Sequence, residues 1–568
     1  MICVLKIPYG IIDYKDLRKD NYYYVDKTSY LEKLENIGKV LVYLRPGRFG
    51  KTLLTSMMFY YYDVNSKDEF DTLFKDTYVK NNPTKNKNNY YILKFDFSGI
   101  FSNEKNTQDL ESEFKRKVSD GIKKFNDCYK TNANSDYEKN TPNGMLLEFL
   151  AYFRSLDLAH KLYIIIDEYD NFTNAILEGN GDRFKNVVGN EGFIKAFYSI
   201  IKEYYGLGIV DRVFITGICP ITLDSMTTGF NISTDISNDI EFSSMVGLTH
   251  DEVKDLIKDI EPTKQEEIFN LMVKNYDGYL FNVKSNERIF NATLVMYFMR
   301  EYNRFQELPS QLLDSNIAFN YGKIGNLLKL QNNTYYKEIL DSILKTGMVT
   351  GELKVKFNLE VDFDRDDIIS LLYYFGYLTI YKKEVYDDSI IFKVPNRVIN
   401  ELYYNYFENI LKEIKVIIDD SVIRDSVREM VEVGKIDILT KYVERILKKT
   451  DNRIFMKFDE KYIQAIYFTL LISNRIFNSY SEFPVSNGFI DLMLFKNSEL
   501  CKYDIMIELK YLSVREYRRN RKLLEMKRLD AIKQLNDYSM DDRIDKSSLK
   551  KYVVIFVGSS LKLLEEVE

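Results

Sequence analysis

The sequence predicts an α/β chain: a parallel sheet first, a helical and winged-helix-like middle, and a second α/β unit last. Three observations carry this. Short apolar strands, "KVLVYL" (39–44), "KLYIIID" (161–167) and "DRVFITG" (211–217), alternate with helix-length segments, the pattern of a parallel sheet with crossover helices. The stretch 245–405 is mostly of helical period. Near the end, "FIDLMLF" (489–495), the turn "KNSE" and "KYDIMIELKYL" (502–512) read as a hairpin. With 568 residues the chain exceeds one core. We expect boundaries near 245 and 405, giving units 1–245, 246–405 and 406–568.

Each element follows in order. Residues 1–38 are a short extended piece and then helix. The strand 39–44 enters "RPGRFGKT", and "TLLTSMMFYYY" (52–62) is a helix with an apolar face. "YYILKFDFS" (90–98) alternates as a strand, 107–127 is an amphipathic helix, and 174–192 is loop-like before the helix 193–206. In "GLTHDEVKDLIKDI", Thr249 can cap a helix with Glu252 three residues on. Residues 368–407 read as helix, hairpin, helix. That pattern suits a winged helix and equally a helical lid on the first unit. Amphipathic helices fill 406–450. A helix over 460–474, the hairpin, a basic helix and "KYVVIFVG" (551–558) as the final strand complete the chain.

Composition narrows the chemistry. A formal net charge of −6 gives no global attraction to nucleic acid or anionic membranes, so any such surface must be a local patch. Four scattered cysteines without a CxxC pair suggest neither a disulfide framework nor a zinc site. With two histidines, Ser-His-Asp chemistry and His-based metal sites are nearly excluded, and oxygen ligands of the Mg²⁺ type are favoured. No signal peptide and no membrane-length apolar window is evident, so we expect a cytoplasmic chain without a membrane partner.

"RPGRFGKT" (45–52) nearly matches a phosphate loop, Gly, four residues, Gly-Lys-Ser/Thr, with Arg45 where the first glycine belongs. Such a loop aims backbone N–H groups at phosphate from a helix N-terminus. Gly50 would shape the loop, Lys51 would reach terminal phosphates, Thr52 would ligate Mg²⁺, and Arg48 would add charge neutralisation. "YIIID" followed by Glu168 supplies the partner strand: Asp167 for Mg²⁺ through water, Glu168 to polarise an attacking water. Thr216, ending the next strand, could sense the terminal phosphate or merely cap its strand.

In the last unit, Asp491 lies on one strand and Glu508-Leu509-Lys510 on the next. Period two places Glu508 and Lys510 on one face, and a hairpin can bring Asp491 beside them. Two carboxylates and the Leu509 carbonyl suit octahedral Mg²⁺, with Lys510 to orient water or stabilise charge. Glu482 is a further acid nearby. "REYRRNRKLLEMKR" (515–528) carries Arg515, Arg518, Arg519, Arg521, Lys522, Lys527 and Arg528. A solvated helix face explains it, and so does a phosphate-tracking patch.

The stretches "IPYGIIDYKDLRKDNYYYVDKTSYLEKL", "RPGRFGKTLLTSMMFYYYD", "KFDFSGI", "IIIDEYDNF", "ITGICPI", "FNIS" and "YDGYLF" resemble the AAA-ATPase-like family with a C-terminal PD-(D/E)xK nuclease-like domain. That family also carries Arg where Arg45 stands; this chain departs in Gly47 for a second Arg and Thr52 for Ser. The resemblance implies an N-terminal P-loop NTPase and a C-terminal restriction-endonuclease-like domain. Within it, Glu460 is similar to the upstream acid of those nucleases and Gln534 to the polar residue on the helix after the motif. The implied function is ATP binding and hydrolysis coupled to a Mg²⁺-dependent nuclease-like domain acting on nucleic acid, with the basic helix as the nucleic-acid contact and a homo-oligomer as the expected assembly. The alternative is an ATP-driven switch whose last domain only binds nucleic acid or a protein.

Overall fold

The computed structural model describes residues 6–99, 107–136, 140–171, 192–221, 230–309, 312, 323–328, 335–357, 363–385, 387–413, 415–450, 459–472, 476–486, 488–497 and 501–568. These form two compact units, one of residues 1–336 and 349–399 and one of 337–348 and 400–568. The expected first region and residues 246–336 and 349–399 of the expected middle one fall in the first unit, while 337–348 and 400–405 fall in the second. The loop expected over 174–192 lies almost wholly outside the described residues.

The first unit is built on a five-stranded sheet: β1 (Val40–Leu44), β2 (Tyr90–Asp96), β3 (Lys161–Asp167), β4 (Val210–Gly217) and β5 (Thr234–Asp235), in the order β2-β3-β4-β1-β5. Every neighbouring pair is parallel. A parallel sheet is covered on both faces, and its strands accordingly read as unbroken apolar runs. Leu162 through Ile166 of β3 are all buried. Helix α1 (Lys51–Tyr62) follows β1 directly, and β4 lies between β1 and β3. The loop and the Asp167 strand therefore sit two strands apart, with the end of β4 between them.

The middle of the chain adds helices, among them α2 (Ala292–Phe305), and a small sheet of β6 (Met348–Gly351), β7 (Thr379–Lys383) and β8 (Ile390–Lys393) in the order β6-β8-β7. The helix Arg365–Tyr374, the β7–β8 hairpin and the helix Arg397–Glu413 reproduce the expected helix–hairpin–helix run. Thr249 and Glu252 form the capping box expected of them.

The second unit holds the helix α3 (Glu460–Ile472) and a five-stranded mixed sheet. Its strands are β9 (Phe477–Val485), β10 (Gly488–Lys496), β11 (Asp504–Leu512), β12 (Leu549–Val557) and β13 (Ser560–Val567), in the order β13-β12-β11-β10-β9. Only β11 and β12 run parallel, joined through α4 (Lys522–Tyr538). The α4 side of the sheet packs Met493, Met506, Val553 and Ile555 against Ala531 and Leu535. Two expectations are corrected here. The strand at 551–558 is not the last: Gly558, at φ +57, turns the chain back into β13. The basic helix is two helices, Val514–Arg519 and α4, broken at Asn520, whose extended backbone (φ −148) ends the first.

Candidate functional site

Local backbone shapes the loop between β1 and α1. Gly50 precedes α1 at φ +105, a conformation cheap only for glycine, and Arg48 sits at φ +70. The loop is tied from outside. The Arg48 carbonyl accepts the Thr293 N–H (3.2 Å) and hydroxyl (2.8 Å), and the Phe49 carbonyl accepts the Gly247 N–H (2.8 Å). The buried Phe49 ring packs edge-on against Tyr279 and Phe281, at 4.9 and 5.5 Å.

Arg45 leaves the cradle altogether. It is buried, and its guanidinium donates to the carbonyls of Leu44 (2.8 Å), Ser237 (2.5 Å) and Phe242 (3.0 Å), sandwiched between the rings of Tyr43 and Phe281. The position of the usual first glycine is thus used to bind the loop to the β5 side of the sheet. Gly47, the other departure, faces open space: a Cβ there would meet nothing within 4 Å.

Lys51 is buried and donates to the Arg45 and Pro46 carbonyls, at 3.0 and 3.1 Å. Its ammonium lies 4.0 Å from Glu168 Oε1. Glu168 is held at φ +54, a costly place for a non-glycine residue. Its carboxyl is pushed up to about 7, chiefly by loss of solvent, against the pull of Lys51. Asp167 is fully buried; Oδ2 accepts the Thr55 hydroxyl (3.0 Å), and Oδ1 has no hydrogen-bond partner. Burial raises its pKa too. An orphaned buried carboxylate oxygen is a donor of the kind a hard divalent cation takes.

Thr216 donates to the Tyr43 carbonyl (2.7 Å), so its hydroxyl is committed to β1. The turn after β4 is clasped by the loop after β3. Asp170 accepts the N–H groups of Ile218 and Cys219, and Tyr169 donates to the Cys219 carbonyl (2.5 Å). Gly217 permits this approach, since a Cβ would lie 2.3 Å from Asp170 Oδ1. A cavity of about 360 Å³ joins the loop and α1 N-terminus, Thr52 and Glu168 included, to an apolar wall of Pro8–Ile12, Tyr23, Leu248 and Met296.

In the second unit a sheet irregularity makes the site. The β10–β11 ladder pairs Leu492 with Ile507 and stops. One step on stand Asp491 and Glu508, and Asp491 Oδ2 instead takes the Leu509 N–H at 2.8 Å. On the other side, β9 pairs with β10 at Phe483 and at Ser481 but skips Glu482, which sits at φ +53. Glu508 Oε1 accepts from Lys510 (2.7 Å), while Oε2 is buried without a partner. Glu460, first residue of α3, accepts the Tyr511 N–H (3.3 Å) and lies 3.9 Å from the Lys510 ammonium. Asp491, Glu508, Lys510 and Glu460 therefore converge.

Glu482 pairs with Lys461 and accepts from Gln464 (3.1 Å), which also donates to the Asp491 carbonyl. Gln534 lies on α4 with a buried, unpartnered Oε1, and Tyr538 lies close enough to Glu508, Lys510 and Asp491 for their charges to act on its hydroxyl. Burial first, then neighbouring acids, lift Asp491 to about 7 and Glu508 to about 8. Burial opposes the Lys510 charge, but Glu508, Glu460 and Asp491 together outweigh it and the pKa is raised. Two converging carboxylates, with Glu508 Oε2 left bare, again suit a hard cation, although no group of three or more His, Cys, Asp or Glu stands at metal-holding distance among the described residues. Of the basic run, Arg515, Arg518, Arg519, Arg521 and Lys522 are exposed and Lys527 is half-buried. Arg528 is paired with Glu525 and Glu565.

Sequence reading missed Thr55, Lys94, Asp170, Gln464, Tyr538 and the cavity wall at Pro8–Ile12. Thr55 had a signal, lying one helical turn after Thr52. Tyr538 lies one turn after Gln534. The wall, remote in sequence from the loop, had none. Among the described residues no helix is long and apolar enough to cross a membrane.

The chain is 24% identical over 305 residues to an uncharacterized protein in the vnfD 5'region of Azotobacter chroococcum mcd 1, and spans about half the length of that relative (53% of each chain). Solved structures with similarity include the Walker-type ATPase PABY2304 of Pyrococcus abyssi, at 12% identity and TM-score 0.37 over 71% of this chain and 99% of that one. Another is the Aeropyrum pernix ORC2 protein, at 8% identity and TM-score 0.29 over 67% and 93%. Residues 8–227 match the predicted AAA-ATPase family model, and residues 458–566 match that of the PD-(D/E)XK nuclease superfamily, so the chain joins an AAA-ATPase-like region to a nuclease-superfamily region.

Proposed function

We propose that the chain binds and hydrolyses ATP at the loop of the first unit, and that its second unit is a Mg²⁺-dependent nuclease-like centre acting on nucleic acid. One observation carries the first half. A single cavity reaches from the α1 N-terminus, Lys51 and Glu168 to an apolar wall, room for phosphates at one end and a base at the other. Thr52 and Asp167 would hold Mg²⁺, which supplies charge neutralisation between the phosphates. Lys51 exchanges its loop carbonyls for phosphate oxygens, and Arg48 adds positive charge. Glu168, with a pKa near neutrality, takes the proton of the attacking water.

The second half rests on the convergence of Asp491, Glu508 and Lys510. Asp491, Glu508 and the Leu509 carbonyl would hold Mg²⁺, a Lewis acid for the scissile phosphate. Lys510 steadies the developing charge, with Glu460 holding its ammonium in place. The exposed arginines before α4 would draw in the phosphate backbone.

A fluorescent ATP analogue should bind wild type and lose its affinity on Lys51→Ala. DNA and RNA incubated with Mg²⁺ should be cut by wild type and left whole by Asp491→Ala. Equal binding by Lys51→Ala overturns the first half. Wild type that cuts neither substrate overturns the second and leaves an ATP-driven switch with a binding module.

A further inference from the structure

Lys94 stands on β2, two residues before Asp96, which pairs in register with Asp167. Its ammonium donates to Thr55 Oγ1 at 3.0 Å. An ammonium has donors only, so the Thr55 oxygen must accept on that side. The single Thr55 proton is left for the Thr52 carbonyl (2.9 Å) or for Asp167 Oδ2 (3.0 Å). A carboxylate is the stronger acceptor of the two. Asp167 Oδ1, meanwhile, is buried and bare. Burial works against the Lys94 charge, and Asp167, Asp96 and Asp13 offset part of that cost.

We propose that Lys94 is a positioning residue: through Thr55 it fixes one oxygen of Asp167 and so keeps the other turned out for Mg²⁺. The proposal rests on the reading of the loop as a Mg²⁺–nucleotide site. Groups that orient a metal ligand without touching the metal typically change metal affinity by about 10–100-fold.

The test is affinity for a fluorescent ATP analogue, measured in EDTA and across a Mg²⁺ titration. Lys94→Met and Thr55→Val should bind as wild type does in EDTA, yet need about 10–100-fold more Mg²⁺ to reach the tight state. Thr55→Ser, which keeps the hydroxyl, should titrate like wild type. A Lys94→Met protein with the wild-type Mg²⁺ midpoint overturns the proposal. So does one that loses affinity equally with and without Mg²⁺, the mark of a merely structural lysine. If Lys94→Met does not fold, an unchanged midpoint in Thr55→Val overturns it. Wild type that binds no nucleotide in either condition overturns the reading of the loop, and the proposal with it.

Discussion

At the end of β3 two consecutive acids, Asp167 and Glu168, are turned apart: the first faces Thr55, and the left-handed backbone of the second swings it toward Lys51. Between β10 and β11 two acids from different strands, Asp491 and Glu508, are turned together, each raising the charge cost of its neighbourhood. Neighbours in sequence can thus serve separate roles, while residues 17 positions apart can serve one. Separation along the chain says little about whether two carboxylates act alone or as a pair; strand twist and ladder breaks decide it.

The contrast predicts different failures. Glu168, acting alone, should be replaceable without loss of binding. Glu168→Gln should hold nucleotide while ATP turnover falls by about 10²–10⁴-fold, the usual worth of a general base. Turnover near wild type would mean that Glu168 is not the lone base described here.

The next effect concerns the frame rather than the chemistry. Arg45→Gly restores the usual loop pattern but strips partners from buried carbonyls, each costing about 1–3 kcal/mol. It should unfold several degrees lower and bind nucleotide no better. A variant of equal Tm that binds more tightly would show that Arg45 is a worn glycine.

The smallest effect is a pH drift peculiar to the paired acids. Their folded pKa values, about 7 and about 8, exceed the unfolded carboxylate value of about 4. The folded unit holds protons that the unfolded chain releases, so this stabilisation is complete below pH ~4 and is lost as pH rises toward 8. The Tm of wild type should fall relative to Asp491→Asn across that window, and Mg²⁺ should restore it near pH 8. Parallel Tm curves for the two proteins would remove the pairing.

The elements were legible where periodicity was strong. β3 is a run of buried apolar residues bounded by charge, and β10 and β11 each carry a run of consecutive buried, mostly apolar residues. β9 and β13 escaped because "FNSYSEFPV" and "SLKLLEEV" mix polar and apolar residues on partly exposed strands. Site residues were legible when they lay in short motifs. Lys94 and Asp170 were not, because their partners come from other strands and loops: Thr55 is 39 residues from Lys94, Cys219 is 49 from Asp170. The role of Arg45 was illegible for the same reason, since its acceptors Ser237 and Phe242 lie nearly two hundred residues away.

Glu168 and Glu482 share an inheritance that an evolving population would notice. Both are non-glycine residues in the left-handed backbone region, at φ +54 and +53, a placement that typically costs about 1–3 kcal/mol. A library selected for heat tolerance alone, with no assay of any activity, should accumulate glycine or asparagine at these two positions. The survivors would mark the strained acids by discarding them.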